Sequence, residues 1–376
     1  MQAPLRLLNA FRTSVEPGLL IATAVSTAIF MATPLVLSDV IDDFDVGATA
    51  ASLVSGVQLG GFVLATWGAG RFVSASSGVF VASCLGLAAA GLVSAIAPEF
   101  ALLLVARAVS GLALGTLTWL AWSEVFGNSD KMGDVSAVGP LAGVVAAPTF
   151  GALIALSGYR AVFGVVAALS LAPLVRVPTF AGASTPDDRG ARSRPVVAAA
   201  AVIAGLGLLT MGGSATFAFA GVIARDEIGM GAVAVSLVFA GNAVAQIPAA
   251  RWRGGRPLAG AWFVATGVCA ATVAITRSSQ VFSVALVVWG FFFWAGVPGV
   301  FNLLAERSRH PAERAGDAQA VMAIGRVAGP LLAGVLIGAG SFTTLGVASG
   351  LLMGGAGAIA LVVELRRPSP ASVAEE

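Results

Sequence analysis

Residues 17–38 read PGLLIATAVSTAIFMATPLVLS, a run without one charged side chain. A helix needs about 20 mostly apolar residues to cross the roughly 30 Å hydrocarbon layer of a bilayer, so this run is long enough to span a membrane. Arg6 and Arg12 precede it, as basic residues precede the apolar part of a signal peptide, but the run is too long for one. We therefore expect an uncleaved first transmembrane helix.

The rest of the chain has the same character. Of its 376 residues 57% are hydrophobic and only 11% are charged, whereas soluble domains carry about 25% charged residues. This composition excludes a soluble enzyme, a nucleic-acid-binding protein and a disordered chain. Strands are excluded because the apolar runs do not alternate and open sheet edges cannot be satisfied in lipid. We predict an all-α membrane protein with twelve spans, over 17–38, 47–69, 78–97, 99–122, 135–157, 160–177, 196–222, 231–249, 257–276, 280–303, 318–339 and 342–363.

The basic residues give the orientation of these spans, because Lys and Arg are enriched on the cytoplasmic side. With the N-terminus inside, Arg160, Arg225 and Arg277 are the only basic residues of 21 that fall outside, and Arg107 and Arg326 fall within spans. A wrong number of spans would scramble this segregation. We therefore predict a multi-pass protein of the cytoplasmic (inner) membrane with both termini in the cytoplasm.

The longest polar break separates the spans into two sets of six. We predict an N-terminal bundle over 1–177, a cytoplasmic linker over 178–195 and a C-terminal bundle over 196–376. Two such sets are typical of secondary transporters, whose binding site lies between two bundles near the bilayer midplane.

The two halves also share a sequence pattern. Span five contains Gly143-x-x-x-Ala147-Pro148 followed by Gly151, and span eleven contains Gly325-x-x-x-Gly329-Pro330. Small residues four apart let helix backbones approach closely, and proline bends a helix. We expect these residues to form either a bendable seam that opens and closes during transport or an ordinary helix contact.

On these motifs the chain resembles the major facilitator superfamily, and within it the drug:proton antiporter and sugar-efflux permease branch. Span four contains Arg107-x-x-x-Gly111-x-x-x-Gly115, which is similar to motif B of the family, and Gly143 to Gly151 is similar to the antiporter motif C. The resemblance implies twelve helices in two pseudo-symmetric six-helix bundles, and alternating access. The loop after span two departs from motif A: at Gly68-Ala69-Gly70-Arg71 a glycine stands where the family has an aspartate, so the resemblance does not extend to the cytoplasmic latch around Arg71.

Arg107 and Arg326 are the strongest functional candidates. A charged side chain in mid-membrane costs at least about 2.5–3.5 kcal/mol, so it usually faces a wet cavity or a partner. Two such cations would give the cavity a positive potential and favour an anionic or polar substrate. The structural alternative is a side chain pinned to carbonyls of a neighbouring helix.

No Asp or Glu lies in the middle of a span. Proton-coupled exporters usually need a carboxylate whose pKa is raised by burial. We therefore take Asp39, at the outer end of span one, as the best proton-coupling candidate, with Arg107 and Glu124 as the others; Glu124 is equally a structural salt-bridge residue. We predict a solvated outer loop containing Asp42, Asp43 and Asp45.

Uncharged cavity candidates lie at mid-depth in spans one, two, four, seven, eight and ten, where buried polar groups need partners. They are Ser26, Phe30, Gln58, Thr116, Trp119, Thr210, Ser214, Phe217, Asn242, Gln246, Phe293 and Trp294.

We therefore expect a monomeric secondary transporter that exports a small organic compound in exchange for protons. It would need no cofactor beyond the proton gradient and no nucleic acid. The first alternative is an organic-anion symporter or exchanger that uses Arg107 and Arg326. The second is a membrane sensor or scaffold that does not transport. An enzyme is not expected, because neither a metal-binding cluster nor a nucleophile with its base is apparent.

Overall fold

The computed structural model describes residues 15–125, 129–180, 194–250, 252 and 257–366. In this part of the chain no strand occurs, which confirms the predicted all-α fold. The helices are α1 (Pro17–Phe44), α2 (Ala48–Phe72), α3 (Ser77–Ile96), α4 (Phe100–Val125), α5 (Ser129–Ser157), α6 (Tyr159–Leu169), α7 (Val197–Val222), α8 (Ala232–Ala250), α9 (Ala259–Ile275), α10 (Ser279–Glu306), α11 (Pro311–Ala339) and α12 (Phe342–Leu365). A 3₁₀ helix, Ala172–Arg176, follows α6, and a π-helical turn, Ile223–Glu227, follows α7.

The helices match the predicted spans one for one. Within the described residues eleven helical segments are long and apolar enough to cross a bilayer, and α9 is a shorter apolar helix of 17 residues. At 1.5 Å per residue α9 is about 25 Å long, close to the thickness of the hydrocarbon layer. The protein is therefore a multi-pass membrane protein.

Several helices extend past their apolar cores. The predicted solvated loop at Asp42 and Asp43 is wrong, because α1 continues to Phe44 and both acids lie in its last turn. The helix ends at Asp45, which adopts a left-handed conformation with φ 48°, as Asp does more readily than most residues. Hydropathy locates only the part of a helix in contact with lipid, so it underestimates the length of a helix that continues into water.

The described residues of 1–188 and 224–244 form one compact unit, and those of 189–223 and 245–376 form a second. In the first unit α4 packs against α2 and α3, α1 packs against α5, and α3 packs against α6. Most of the predicted linker, residues 181–193, lies outside the described residues, so the boundaries of the two bundles stay a prediction.

The second unit repeats three of these four pairings six helices later. The pairs α1–α5, α3–α6 and α3–α4 have counterparts in α7–α11, α9–α12 and α9–α10. The internal symmetry suggested by the repeated glycine and proline pattern is thus present in the helix packing of each unit.

Candidate functional site

Arg107 on α4 is the centre of a polar cluster in the first unit. Its Nη2 donates to Thr33 Oγ1 on α1 at 3.0 Å and to Gln58 Oε1 on α2 at 2.5 Å. Thr33 also donates to Gln58 Oε1 at 3.0 Å, and the Phe163 ring of α6 lies 5.2 Å from the guanidinium carbon. Four helices therefore meet at this side chain, and we call Arg107, Thr33 and Gln58 the buried arginine cluster.

Among the described residues, the buried arginine cluster holds a charge without a counter-charge. Arg107 is only 1% exposed, and its hydrogen-bond partners are neutral. Among the described residues Arg107 Nε, Gln58 Nε2 and Ser110 Oγ have no hydrogen-bond partner. Burying an uncompensated charge costs several kcal/mol, and three unused polar groups add to that cost. The cluster can therefore accept a further oxygen ligand, such as water, without losing any bond it already makes.

Two glycines of α4 allow α2 to come close enough to build this cluster. A Cβ at Gly111 would collide with the carbonyl oxygen of Gln58, and one at Gly115 would collide with that of Phe62. On α2, a Cβ at Gly61 would meet the Ala108 carbonyl oxygen at 2.6 Å. Any side chain at these positions would push the helices apart, so the motif similar to motif B both supplies Arg107 and sets the helix spacing around it.

Arg326 near the middle of α11 has a different environment. Its side chain is only partly buried, and it has no hydrogen bond or ion pair with the residues that the structure describes. The glycines on either side of it pack tightly on α7: a Cβ at Gly325 would collide with the Gly207 carbonyl, and one at Gly329 would collide with Ser214 Oγ. The arginine thus follows directly on a close α7–α11 contact.

Thr210 and Ser214, predicted as cavity residues, take part in this α7–α11 contact. Thr210 Oγ1 donates to the Leu206 carbonyl of its own helix at 3.0 Å. Ser214 Oγ donates to the Gly325 carbonyl of α11 at 3.3 Å. Their hydroxyl protons are therefore used within and between helices.

A second charged group lies at the C-terminal end of α1, the end that the basic residues assign to the outside. Asp39 forms an ion pair with Arg225, and Ser38 Oγ donates to Asp226 Oδ1 at 2.6 Å. Arg225 and Asp226 belong to the π-helical turn after α7. We call these four residues the outer ion-pair cluster; it ties the end of α1 to that turn.

The next turn of α1 is tied to α6. Asp43 Oδ2 accepts hydrogen bonds from Arg160 at 2.6 Å and from the Tyr159 hydroxyl at 2.5 Å. Arg160 also donates to the Ala97 carbonyl at 2.9 Å. Two of the three arginines predicted outside, Arg160 and Arg225, therefore bind acids of α1.

The motif similar to motif C packs α5 against α8. A Cβ at Gly151 would collide with the Ser236 side chain, and one at Gly143 would meet Ala243 Cβ and Met31 Cε, each at 3.3 Å. Pro148 lies inside α5 in this region. The equivalent glycine of the repeat, Gly325, packs on α7, and Pro330 lies one residue after Gly329 inside α11. The same pattern thus makes different helix contacts in the two units.

The remaining candidates are distributed over several helices. Phe30 meets the Phe62 ring edge-on at 5.3 Å. Thr116 lies on an open apolar groove of about 320 Å³ with Val109 and Leu112. The other placements are as follows: Ser26 is buried on α1; Asn242 is buried and Gln246 partly buried on α8; Trp119, Phe217, Phe293 and Trp294 are partly buried; Glu124 is partly exposed at the end of α4; and Arg71 is exposed, 3.8 Å above the Trp67 ring.

Sequence reasoning missed the partners of the charged residues. Thr33 lies in the outer half of span one and Arg107 in the outer half of span four, so depth was a usable signal for that pair. Asp226 and Arg225 adjoin in sequence, but nothing in the pattern indicates that they face Ser38 and Asp39. The direction in which each helix face points is set by packing, which depth does not give.

Solved structures of other proteins share the fold of this chain. No family model and no curated protein matches the chain. Among solved structures it is similar to a bacterial homologue of the human lysosomal transporter Spinster, with a TM-score of 0.69 and 12% identity over 97% of this chain and 96% of that one. For the nucleoside transporter NupG the TM-score is 0.68, with 12% identity over 95% of this chain and 100% of that one. For the human organic anion transporter MFSD10 (TETRAN) the TM-score is 0.61, with 15% identity over 91% of this chain and 97% of that one.

These likenesses, at such low identity, show the fold. The chain has the major facilitator fold that the sequence predicted. The neighbours are two transporters and a homologue of a third.

Proposed function

We propose that the protein is a secondary active transporter that moves a small organic compound across the cytoplasmic membrane by alternating access. The observation that carries this proposal is the buried arginine cluster. A charged residue that is buried at mid-membrane depth without a counter-charge is expensive and is kept for function by default. The likeness of the whole chain to transporters, including one of organic anions and one of nucleosides, supports this class.

Export in exchange for protons is the mode of transport that we propose first. Asp39 is the coupling residue in this mode, because it is a partly exposed acid held by Arg225 in an ion pair that a proton would release. The close packing of Gly143 and Gly151 against α8 supports antiport through the resemblance to motif C. The protein would act as a monomer and take its energy from the proton gradient.

A second mode is symport or exchange of an organic anion without protons. The observation in its favour is that Arg107 and Arg326 have no acidic partner among the described residues. An arginine without an acidic partner attracts anions and offers no carboxylate to carry a proton.

One assay separates these modes. Purified protein is reconstituted in liposomes that contain a pH-sensitive dye, and candidate organic compounds are added outside. Antiport predicts that a transported compound changes the internal pH in protein-containing liposomes and not in empty ones. Compound movement without a pH change indicates the second mode. If neither compound nor protons move in any liposome with folded protein, transport is refuted and a sensor or scaffold becomes the better interpretation.

A further inference from the structure

Arg326 and Arg107 differ in exposure: Arg326 is partly exposed, whereas Arg107 is only 1% exposed. Arg107 is enclosed by four helices, and its Nη2 already donates two hydrogen bonds. Arg326 is partly exposed and has no partner among the described residues. The two intramembrane arginines therefore have different roles.

The exposed part of Arg326 does not face lipid. On α11 the side chains of Ile324 and Val335 are 64% and 55% exposed, and at about 100° per residue they lie within roughly 20° of each other, so they mark the lipid side. Arg326 is two residues from Ile324, which places it about 200° around the helix. A guanidinium at mid-membrane depth on that side must meet water or a partner.

The acids of its own helix cannot neutralise Arg326. Within the described chain, α11 carries two acids, Glu313 and Asp317, and both lie near its start. Each forms an ion pair with Arg314, at 2.7 Å and 2.6 Å. The charge of Arg326 is thus left for a group from outside the helix.

We propose, on the basis of the transport function above, that Arg326 binds an anionic group of the substrate: a carboxylate, sulfonate or phosphate. A guanidinium presents a planar fork of donors that matches these oxyanions and holds them in two parallel hydrogen bonds. Arg107, enclosed by four helices, does not touch the substrate in this proposal. The assignment holds for either mode of coupling, because it concerns the charge of the cargo and not the driving ion.

The first test asks whether position 326 faces water. The variants Arg326→Cys and Arg107→Cys are placed in lipid nanodiscs and treated with an anionic methanethiosulfonate, and modification is followed by peptide mass spectrometry. The native Cys84 and Cys269 are buried and report that the fold is intact. We expect position 326 to react at least about tenfold faster than position 107, because only the former meets water. Equal rates at the two positions, with both native cysteines protected, would overturn the proposal.

The second test asks for the charge of the ligand and does not depend on a cysteine variant. Benzoate, benzenesulfonate and phenyl phosphate share a ring with neutral benzamide and cationic benzylamine. At least one anion should raise the melting temperature of the wild type in proportion to its occupancy, whereas benzamide and benzylamine should not. Arg326→Gln should weaken that anion's apparent affinity about tenfold or more, Arg326→Lys less, and the exposed-site control Arg194→Gln not at all. Equal stabilisation by benzamide, an unchanged response in Arg326→Gln, or no response to any anion would refute the site.

These outcomes are separable from failure of the transport proposal. Anion binding that depends on Arg326, without flux in liposomes, would leave the site standing and remove transport. Flux of a compound that is unaffected by Arg326→Gln would leave transport standing and remove the site.

Discussion

At the scale of single residues, Arg107 is the most unusual group in the first unit. Its guanidinium is held only by a hydroxyl and an amide oxygen, and its Nε has no partner among the described residues. The hydrogen bond to Gln58 Oε1 therefore provides much of the stabilisation of the buried charge. Removing that acceptor leaves the guanidinium almost unsolvated.

Gln58→Leu should lower the free energy of unfolding by about 2–3 kcal/mol, because a hydrogen bond to a buried charge is lost. Gln58→Glu should recover stability, because it supplies the missing counter-charge at the same position. A thiol-reactive dye measures unfolding in detergent as Cys84 of α3 and Cys269 of α9 become accessible. The control Gln280→Leu makes the same change at an exposed position and should stay within about 0.5 kcal/mol. A similar loss in both variants would show that Gln58 has no special role.

Asp39 is a second single residue whose role can be tested. Its replacement should change proton movement rather than stability. Its ion pair with Arg225 is partly exposed, at 22% and 24% for the two side chains, and such pairs contribute only about 0–1 kcal/mol. Asp39→Asn should therefore leave the melting temperature nearly unchanged and abolish the pH change that accompanies transport. Asp42→Asn, three residues further along α1, is the matched control and should keep proton movement. Proton movement that survives in Asp39→Asn would exclude Asp39 as the coupling residue.

The sequence identified which residues carry the chemistry but not what they touch. A charge within an apolar span singles out Arg107 and Arg326 on energetic grounds alone, and Gln58 was a candidate as a buried polar group. The bond between Arg107 and Gln58 depends on which faces of α2 and α4 meet, and that is set by the contact at Gly111. The ion pair of Asp39 was missed because Arg225 lies 186 residues away.

At the scale of helices, glycines determine which pairs can approach. The contacts at Gly111 and Gly115 join α2 to α4, and those at Gly325 and Gly329 join α7 to α11. Helix positions were predictable because an apolar run of fixed length is a strong signal. Helix ends were not, since α1, α5 and α11 continue beyond lipid, where composition becomes ordinary.

Gly111→Ala should destabilise the protein by about 1–3 kcal/mol, because its methyl group would press on the Gln58 carbonyl in a packed interface. The control is Gly60→Ala on the partner helix α2, where a Cβ meets nothing within 4 Å and where alanine is a better helix former than glycine. The melting temperatures of both variants are measured with the thiol-reactive dye. Equal melting temperatures for the two variants would contradict the proposed close approach of α2 and α4.

At the scale of the whole molecule, the twelve helices of the described residues predict that the start of α1 and the end of α12 lie on one side of the membrane. Because Lys and Arg are enriched on the cytoplasmic side, we expect that side to be the cytoplasm. A fluorescent-protein fusion that matures only in the cytoplasm should therefore fluoresce at either terminus. An alkaline phosphatase fusion, active only outside, should be active after the α1–α2 connection, next to Asp45. An active phosphatase at the C-terminus would require an odd number of crossings and would overturn the assignment of α9 as a span.

The binding site proposed at Arg326 implies that this molecule moves organic anions across a membrane. Counterflow tests it most directly. Liposomes that contain the protein and unlabelled benzenesulfonate or phenyl phosphate, whose charge keeps both from crossing lipid, are diluted into the labelled compound. We expect transient accumulation of label with wild type and with Arg194→Gln, and none with Arg326→Gln. No accumulation of either compound with folded wild-type protein, or equal accumulation with Arg326→Gln, would contradict it.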